Sequence, residues 1–354
     1  MDIEHFLRQS VVGMQPPTYP GPETGVLRMD ANTNLIGRNP AIDRVAGRAG
    51  GIDLAQYPSC LSDDLRAAIA RHHGLTPEQV IVGDGSDEVL DVLCKAFLNP
   101  GDVIACASPS FVMYAFFGRL HFGRVVEVPL RMPGFQLDVD LLLRVRAKLT
   151  FIASPNNPTG NAVPGEDLER LIRESSGLVL VDEAYADFCD QDFAREVGRY
   201  ENLVVSRTFS KSHGLAGLRV GYGLANARLM EKLWCAKTPL TLGTLNEAIA
   251  LEALGDTAFM EETVRVVREE RPRLARKLLE MGFHPAPSDA NFMIVDVGQP
   301  SGALRAFLRS KGILTREMGD FKGLETYIRI TVGRPEHSDR LLGALKEWKA
   351  TCSR

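Results

Sequence analysis

This sequence of 354 residues predicts an α/β fold, with a mostly parallel sheet covered by helices and a smaller α+β part attached. Three observations carry that prediction. Short apolar runs rich in β-branched residues recur between residues 79 and 224; helical patterns separate several of them; and beyond residue 255 the rhythm changes to one long, charge-laced helical pattern followed by isolated apolar runs.

The elements follow in chain order. The first forty residues are rich in Pro and Gly (Pro16, Pro17, Pro20, Gly21, Pro22) and favour an extended arm packed on the C-terminal part. Residues 79–82 read as the first buried strand, and 87–97 places apolar residues at helical spacing until Asn99-Pro100-Gly101 ends it. Apolar runs at 103–106, 125–128 and 150–153 precede a helix over 165–175. Further runs at 178–181, 203–206 and 220–224 lead to a helix over 225–234. Strands covered on both faces have no polar side to alternate with, so each reads as an unbroken apolar stretch. The long helical pattern runs over 256–281, and then come 291–297, a helix over 302–311 and a strand over 327–332. The expected organisation is an N-terminal arm over 1–45, a large domain over 46–255 and a small C-terminal domain over 256–354.

Composition narrows the function. With 45% apolar and 24% charged residues, disordered and fibrous classes are excluded. The 41 Lys and Arg stand against 45 Asp and Glu, a formal net charge of −4 without blocks of like charge, so nucleic acid is not an expected partner. Six scattered cysteines without a C-x-x-C pair read as free thiols of a reducing cytoplasm. The Met-Asp-Ile-Glu-His start lacks the basic and apolar character of a signal, and no stretch reaches the apolar length of a membrane helix; a cytoplasmic protein is expected.

Four segments place polar or conformationally special residues just after apolar strands, where open parallel sheets collect their ligands. Gly83-Asp84-Gly85-Ser86-Asp87-Glu88 opens a helix and offers backbone N–H groups to an anion, although a plain turn capped by Ser86 or Asp87 would look the same. Ser154-Pro155-Asn156-Asn157-Pro158-Thr159-Gly160 holds side-chain amides in a loop stiffened by two prolines. Val179-Leu180-Val181-Asp182-Glu183-Ala184-Tyr185 ends an apolar strand on a carboxylate, which also suits a helix cap or a metal ligand. Ser206-Arg207-Thr208-Phe209-Ser210-Lys211-Ser212-His213-Gly214, with Arg219 eight residues after the lysine, suits a desolvated amine beside an anion pocket.

The ordered set of Ser-Pro-Asn-Asn-Pro-Thr-Gly, Val-Asp-Glu-Ala-Tyr, Ser-Arg-Thr-Phe-Ser-Lys and Ala-Gly-Leu-Arg-Val-Gly-Tyr resembles the fold-type I, class I/II aminotransferases, which use pyridoxal 5′-phosphate. Within them it is most similar to the histidinol-phosphate aminotransferases. The resemblance extends from Asp30-Ala31-Asn32 through Tyr57-Pro58 to Tyr327-Ile328-Arg329-Ile330-Thr331-Val332-Gly333. It implies that Lys211 forms the Schiff base, that Asp182 faces the pyridine nitrogen, and that Asn157 and Tyr185 hold the phenolic oxygen. Phe111 takes the ring-stacking position. Gly85, Ser86 and Asp87 at the helix start, with Thr208, Ser210 and Arg219, match the phosphate site. Tyr57 matches a tyrosine that reaches the neighbouring subunit's phosphate, which implies a homodimer. On the substrate side Arg329 matches a carboxylate clamp and Arg316 a second arginine for a substrate phosphate, although by itself Arg316 reads equally as a surface arginine on a loop; Asn157, Asn32 and Tyr19 stand beside them.

The implied function is amino transfer between histidinol phosphate, or a similar anionic amine, and 2-oxoglutarate/glutamate. Three departures bear on the substrate. Thr33 in Asn32-Thr33-Asn34-Leu35 replaces a carboxylate, Tyr19 belongs to a shifted Pro-Tyr element, and His213 stands where an aromatic residue is common. His213 is either packing or a second proton carrier. Another reaction on the same fold, such as decarboxylation of a phosphorylated amino acid or a specialised amino-acid transformation, stays open. A non-catalytic relative would have lost Lys211 or Asp182; a dinucleotide enzyme would show G-x-G-x-x-G; and the seven scattered histidines do not suggest a metal.

Overall fold

Two sheets organise the chain, and the computed structural model describes residues 3–14, 21 and 23–352. In chain order the strands are β1 (Leu27–Met29), β2 (Val80–Asp84), β3 (Val103–Ser108), β4 (Arg124–Pro129), β5 (Leu149–Ala153), β6 (Leu178–Asp182), β7 (Leu203–Thr208), β8 (Val220–Ala225), β9 (His284–Pro285), β10 (Phe292–Asp296), β11 (Ile313–Glu317) and β12 (Tyr327–Thr331). The helices are α1 (Ala41–Gly47), α2 (Asp63–His73), α3 (Gly85–Phe97), α4 (Met113–Leu120), α5 (Val139–Val145), α6 (Gly165–Glu174), α7 (Ala227–Ala236), α8 (Thr244–Gly255), α9 (Ala258–Glu280), α10 (Gly302–Ser310) and α11 (Pro335–Cys352).

The larger sheet has the order β2-β8-β7-β6-β5-β3-β4. Its β4, β3, β5, β6 and β7 run parallel, while β8 and β2 close one edge with antiparallel pairs. Register aligns Ala153 with Asp182 and Asp182 with Ser206, so β5 and β6 end level with one another and β7 runs two residues farther, to Thr208. Both faces of the sheet are covered: Val179, Val181, Val205 and Leu224 pack on one side, and Phe151, Leu180, Val204 and Ala225 on the other. That double burial accounts for the unbroken apolar runs.

The smaller sheet has the order β1-β11-β12-β10-β9. Here β1 pairs in parallel with β11, which brings residues 27–29 onto the small sheet. Farther upstream the contact is different, because the Arg8 guanidinium lies 4.8 Å from the Phe122 ring centroid, beside the larger sheet. Tyr185 and Phe188, from the loop after β6, enter the small sheet's apolar core and tie the two sheets together.

Boundaries differ from expectation where local chemistry is ambiguous. The α3 helix starts at Gly85, two residues before the apolar spacing begins, and absorbs part of the Gly-rich turn. The α7 helix starts at Ala227, because Asn226 caps it by accepting from Leu229 N–H at 2.9 Å. The α4 helix, Met-Tyr-Ala-Phe-Phe-Gly-Arg-Leu, is too apolar for periodicity to reveal it, and β11 ends on two exposed charged residues. The α1 helix, within which the expected boundary at 45/46 falls, packs on α8. Among the described residues no helix is long and apolar enough to cross a membrane.

Candidate active site

The ends of β5, β6 and β7 converge on Asp182. Its carboxylate is buried, and three donors reach it: the Tyr114 hydroxyl at 2.7 Å on Oδ2, and the Ser206 hydroxyl and Ala184 N–H, each at 3.1 Å, on Oδ1. Burial raises the Asp182 pKa, and these donors oppose the rise. Three residues on, the Tyr185 ring stands edge-on to Phe292, and Lys211 Nζ lies 5.3 Å from the Tyr185 ring centroid. The Tyr185 hydroxyl accepts from the Asn32 amide at 3.1 Å. Arg329 on β12 donates to Asn157 Oδ1 at 2.6 Å and to the Asp30 carbonyl at 2.9 Å. Residues from the arm, three strand ends and the small sheet thus meet in one place.

Beside them lies a turn suited to an anion. Gly85 has φ +70°, donates its N–H to the Arg219 carbonyl at 2.9 Å, and would place any Cβ 2.5 Å from Arg219 Nη2. A side chain there would fill the space that the guanidinium uses. The first turn of α3 carries no side-chain cap, which leaves the N–H groups around Ser86 open to a ligand. Gly221 on β8 passes so close that a Cβ would sit 2.1 Å from Ser86 N, so this strand backs the turn directly. Thr208 and Ser210 join their hydroxyls at 2.9 Å, and Arg219 Nη2 donates to Asp87 Oδ2 at 3.2 Å. Burial raises the Asp87 pKa; Arg219 and, more weakly, Lys211 counter it. These residues fit the phosphate and aldehyde ends of pyridoxal 5′-phosphate: uncapped N–H groups, two hydroxyls and an arginine at one end, an amine at the other.

A charged layer supports the strand ends from behind. The Arg207 guanidinium contacts Glu183 at 2.7 Å, Asp192 at 2.8 Å and Asp187 at 3.6 Å, and Ser212, next to Lys211, donates to Asp187. Burial opposes the Arg207 charge, and the carboxylates around it more than restore it. His213 packs its ring against Phe209, with Nδ1 3.2 Å from the Ser212 hydroxyl, and burial lowers its pKa.

Other expected site residues occupy varied positions. Phe111 stands edge-on to Tyr114, with centroids 5.6 Å apart. Arg316 sits on strand β11, not on a loop, directly opposite Arg329, and donates to Asp320 at 3.2 Å. Asn32, expected near substrate, spends its amide on Tyr185 and its backbone N–H on Thr331. Tyr57 is 87% exposed and takes no part in the cluster within its own chain. Tyr19 lies outside the described residues. Tyr114 and Ser206 were not anticipated as partners of Asp182; a hydroxyl that meets a carboxylate across 68 residues leaves no local signal.

Comparison with known proteins identifies the family. Residues 24–345 match the family model "Aminotransferase class I and II". The chain is 38% identical over 297 residues to the histidinol-phosphate aminotransferase of Thermoanaerobacter pseudethanolicus, covering 82% of this chain and 84% of that protein. It is 37% identical over 303 residues to the Pyrococcus furiosus histidinol-phosphate aminotransferase, covering 85% and 86% of the two chains. The histidinol-phosphate aminotransferase of Sinorhizobium meliloti, solved in complex with pyridoxal 5′-phosphate, superposes with a TM-score of 0.87 at 26% identity over 96% of both chains. A match over this much of the chain, on a fold that gathers the expected lysine, aspartate and arginines, has one meaning: the chain belongs to the class I and II aminotransferases.

Proposed function

We propose that this protein is a pyridoxal 5′-phosphate-dependent aminotransferase that moves an amino group between histidinol phosphate, or a closely similar anionic amine, and 2-oxoglutarate/glutamate. The buried Asp182 carboxylate, held by two hydroxyls and a backbone N–H, carries the reading. Bound at this site, the cofactor supplies an aldehyde for the lysine amine and a ring that accepts electrons.

The remaining work falls to the chain. Lys211 would be the covalent anchor, and its amine, when free, the base that takes the α-proton of the amino donor. Asp182 would keep the ring nitrogen protonated, while Tyr185 and Asn157 would hydrogen-bond the phenolic oxygen. Gly85, Ser86, Thr208, Ser210 and Arg219 take the phosphate. Arg329 grips the carboxylate of glutamate with its planar fork, and Arg316, beside it in register, takes the substrate phosphate. The working unit is a homodimer, supported by the exposure of Tyr57 (87%) and Leu54 (62%), large apolar groups that a lone chain leaves in water. Cys60, Cys94, Cys106, Cys189 and Cys235 are free thiols, in keeping with a cytoplasmic enzyme.

The test is a single half-reaction. Loaded protein is mixed separately with histidinol phosphate, glutamate and phosphothreonine while its visible absorption is followed. Bleaching by histidinol phosphate and by glutamate supports the proposal. Bleaching by glutamate without histidinol phosphate assigns a transaminase of another substrate, and release of carbon dioxide assigns a decarboxylase. Lys211→Ala should abolish cofactor trapped by borohydride; an adduct retained elsewhere refutes the anchor.

A further inference from the structure

We infer that Tyr114 is a positioning residue for this reaction, its hydroxyl fixing the Asp182 carboxylate in the orientation that the site uses. The inference rests on the role proposed above for Asp182. Of the two carboxylate oxygens, Oδ1 receives Ser206 and Ala184, whereas Oδ2 depends, among the described residues, on Tyr114. Rotation of the carboxyl group is therefore pinned at one end by β6 and β7 and at the other by α4.

The ring of Tyr114 has packing duties that a phenylalanine would meet equally well. It is fully buried, lies parallel to Phe151 of β5 at 5.4 Å and 4°, and is edge-on to Phe111 at 84°. The hydroxyl is what packing does not explain: a polar atom sits in an apolar cluster, and its cost is offset by a 2.7 Å bond to a carboxylate. Burial and the neighbouring Asp182 charge both push the phenol pKa up, so the proton stays on Tyr114 and the group remains a donor. The same side chain touches Phe111, the expected stacking residue, so one anchor places both a face contact and an acid partner for the cofactor ring.

Tyr114→Phe removes the donor while keeping the ring. The affinity of the apoprotein for pyridoxal 5′-phosphate should fall roughly tenfold, and kcat should fall with it at unchanged KM for glutamate, the scale expected for one hydrogen bond to a charged group. Apoprotein melting should fall only modestly, because Oδ2 of the buried carboxylate loses its donor while the packing of the ring is kept. In an Asp182→Asn background, the same substitution should change cofactor affinity less than twofold, because the charge it serves is gone. Loss of equal size in both backgrounds marks general loosening of the fold and overturns the inference. So does unchanged affinity and kcat in Tyr114→Phe alone. If Asp182→Asn impairs the enzyme while Tyr114→Phe does not, only Tyr114 loses its role; if Asp182→Asn has no effect, the reading of Asp182 falls as well.

Discussion

Replacing Arg207 by methionine should be among the most damaging single changes outside the anion turn. The side chain is largely enclosed by Glu183, Asp192 and Asp187: Nε donates to Glu183 at 2.9 Å, Nη2 donates to Asp192 at 2.8 Å, and Nη2 also lies 2.7 Å from Glu183 as an ion pair. Glu183 is itself buried, and its other protein donor is the Phe193 N–H at 2.6 Å. Burial already raises the Glu183 pKa against the pull of Arg207. Without the guanidinium, a buried carboxylate keeps one neutral donor, and the folded state must strand a charge or take up a proton. Breaking a buried pair in this one-sided way costs about 3–5 kcal/mol. Urea unfolding of the apoprotein followed by circular dichroism measures it, with the midpoint moving at unchanged slope. The double variant Arg207→Met/Glu183→Leu supplies the control, since replacing both partners with apolar groups removes the stranded charge and should recover a large part of the loss. A cost below about 1 kcal/mol for Arg207→Met, or a double variant no milder than the single one, would show that the cluster is solvated and that this reasoning is wrong.

Three further perturbations have defined outcomes. Gly221→Ala would place a methyl group 2.1 Å from Ser86 N, backbone that cannot swing aside, so cofactor binding should weaken by at least tenfold while the protein still folds; wild-type affinity at equilibrium dialysis would contradict the close approach. Arg329→Lys exchanges a fork bonded to Asn157 and Asp30 for a point charge, and KM for glutamate should rise at least tenfold; unchanged glutamate kinetics would remove Arg329 from the substrate site. Burial pushes the His73 pKa down to about 3, with Nε2 3.0 Å from the Tyr222 hydroxyl. Below its ordinary value of about 6.5 the unfolded chain binds a proton that the folded imidazole refuses, so His73 erodes stability as pH falls from 6.5 toward 3 and has no effect above that window. By pH 5 the loss is on the order of 2 kcal/mol, and His73→Gln should flatten that part of the stability profile.

What the sequence exposed and what it hid follow from the range of the interactions. Phe151, Leu180 and Val204 lie on strands covered on both faces, and such strands announce themselves as apolar runs. Asp182 and Lys211 stand immediately after those runs, where position in the chain and position in the site coincide. Tyr114 and Arg207 gave no comparable signal. Tyr114 lies in a helix so apolar that neither its period nor its one polar atom stands out, and its partner is 68 residues away. Arg207 appears within a motif but owes its role to Asp192 and Asp187, brought to it by the loop after β6. Arg316 suggested a loop because β11 is short and ends in exposed charges; only its pairing with β12 sets it opposite Arg329.

The bond between Asn32 N–H and Thr331 joins residues 299 apart, and Asn32 in turn holds the Tyr185 hydroxyl. The arm leaves the ribosome well before β12 does. During synthesis the strands of the larger sheet have all their partners before β11 emerges to pair with β1, so the nascent chain can hold a complete larger sheet while the mouth that β11 and β12 help to build is unfinished. A fragment released before β12 keeps Lys211 and Asp182 but lacks Arg329, and it leaves the Asn32 N–H without its Thr331 partner. Closing the ring of contacts between the two ends of the chain is a long-range step, and on entropic grounds it follows, and does not lead, the folding of the sheet between them.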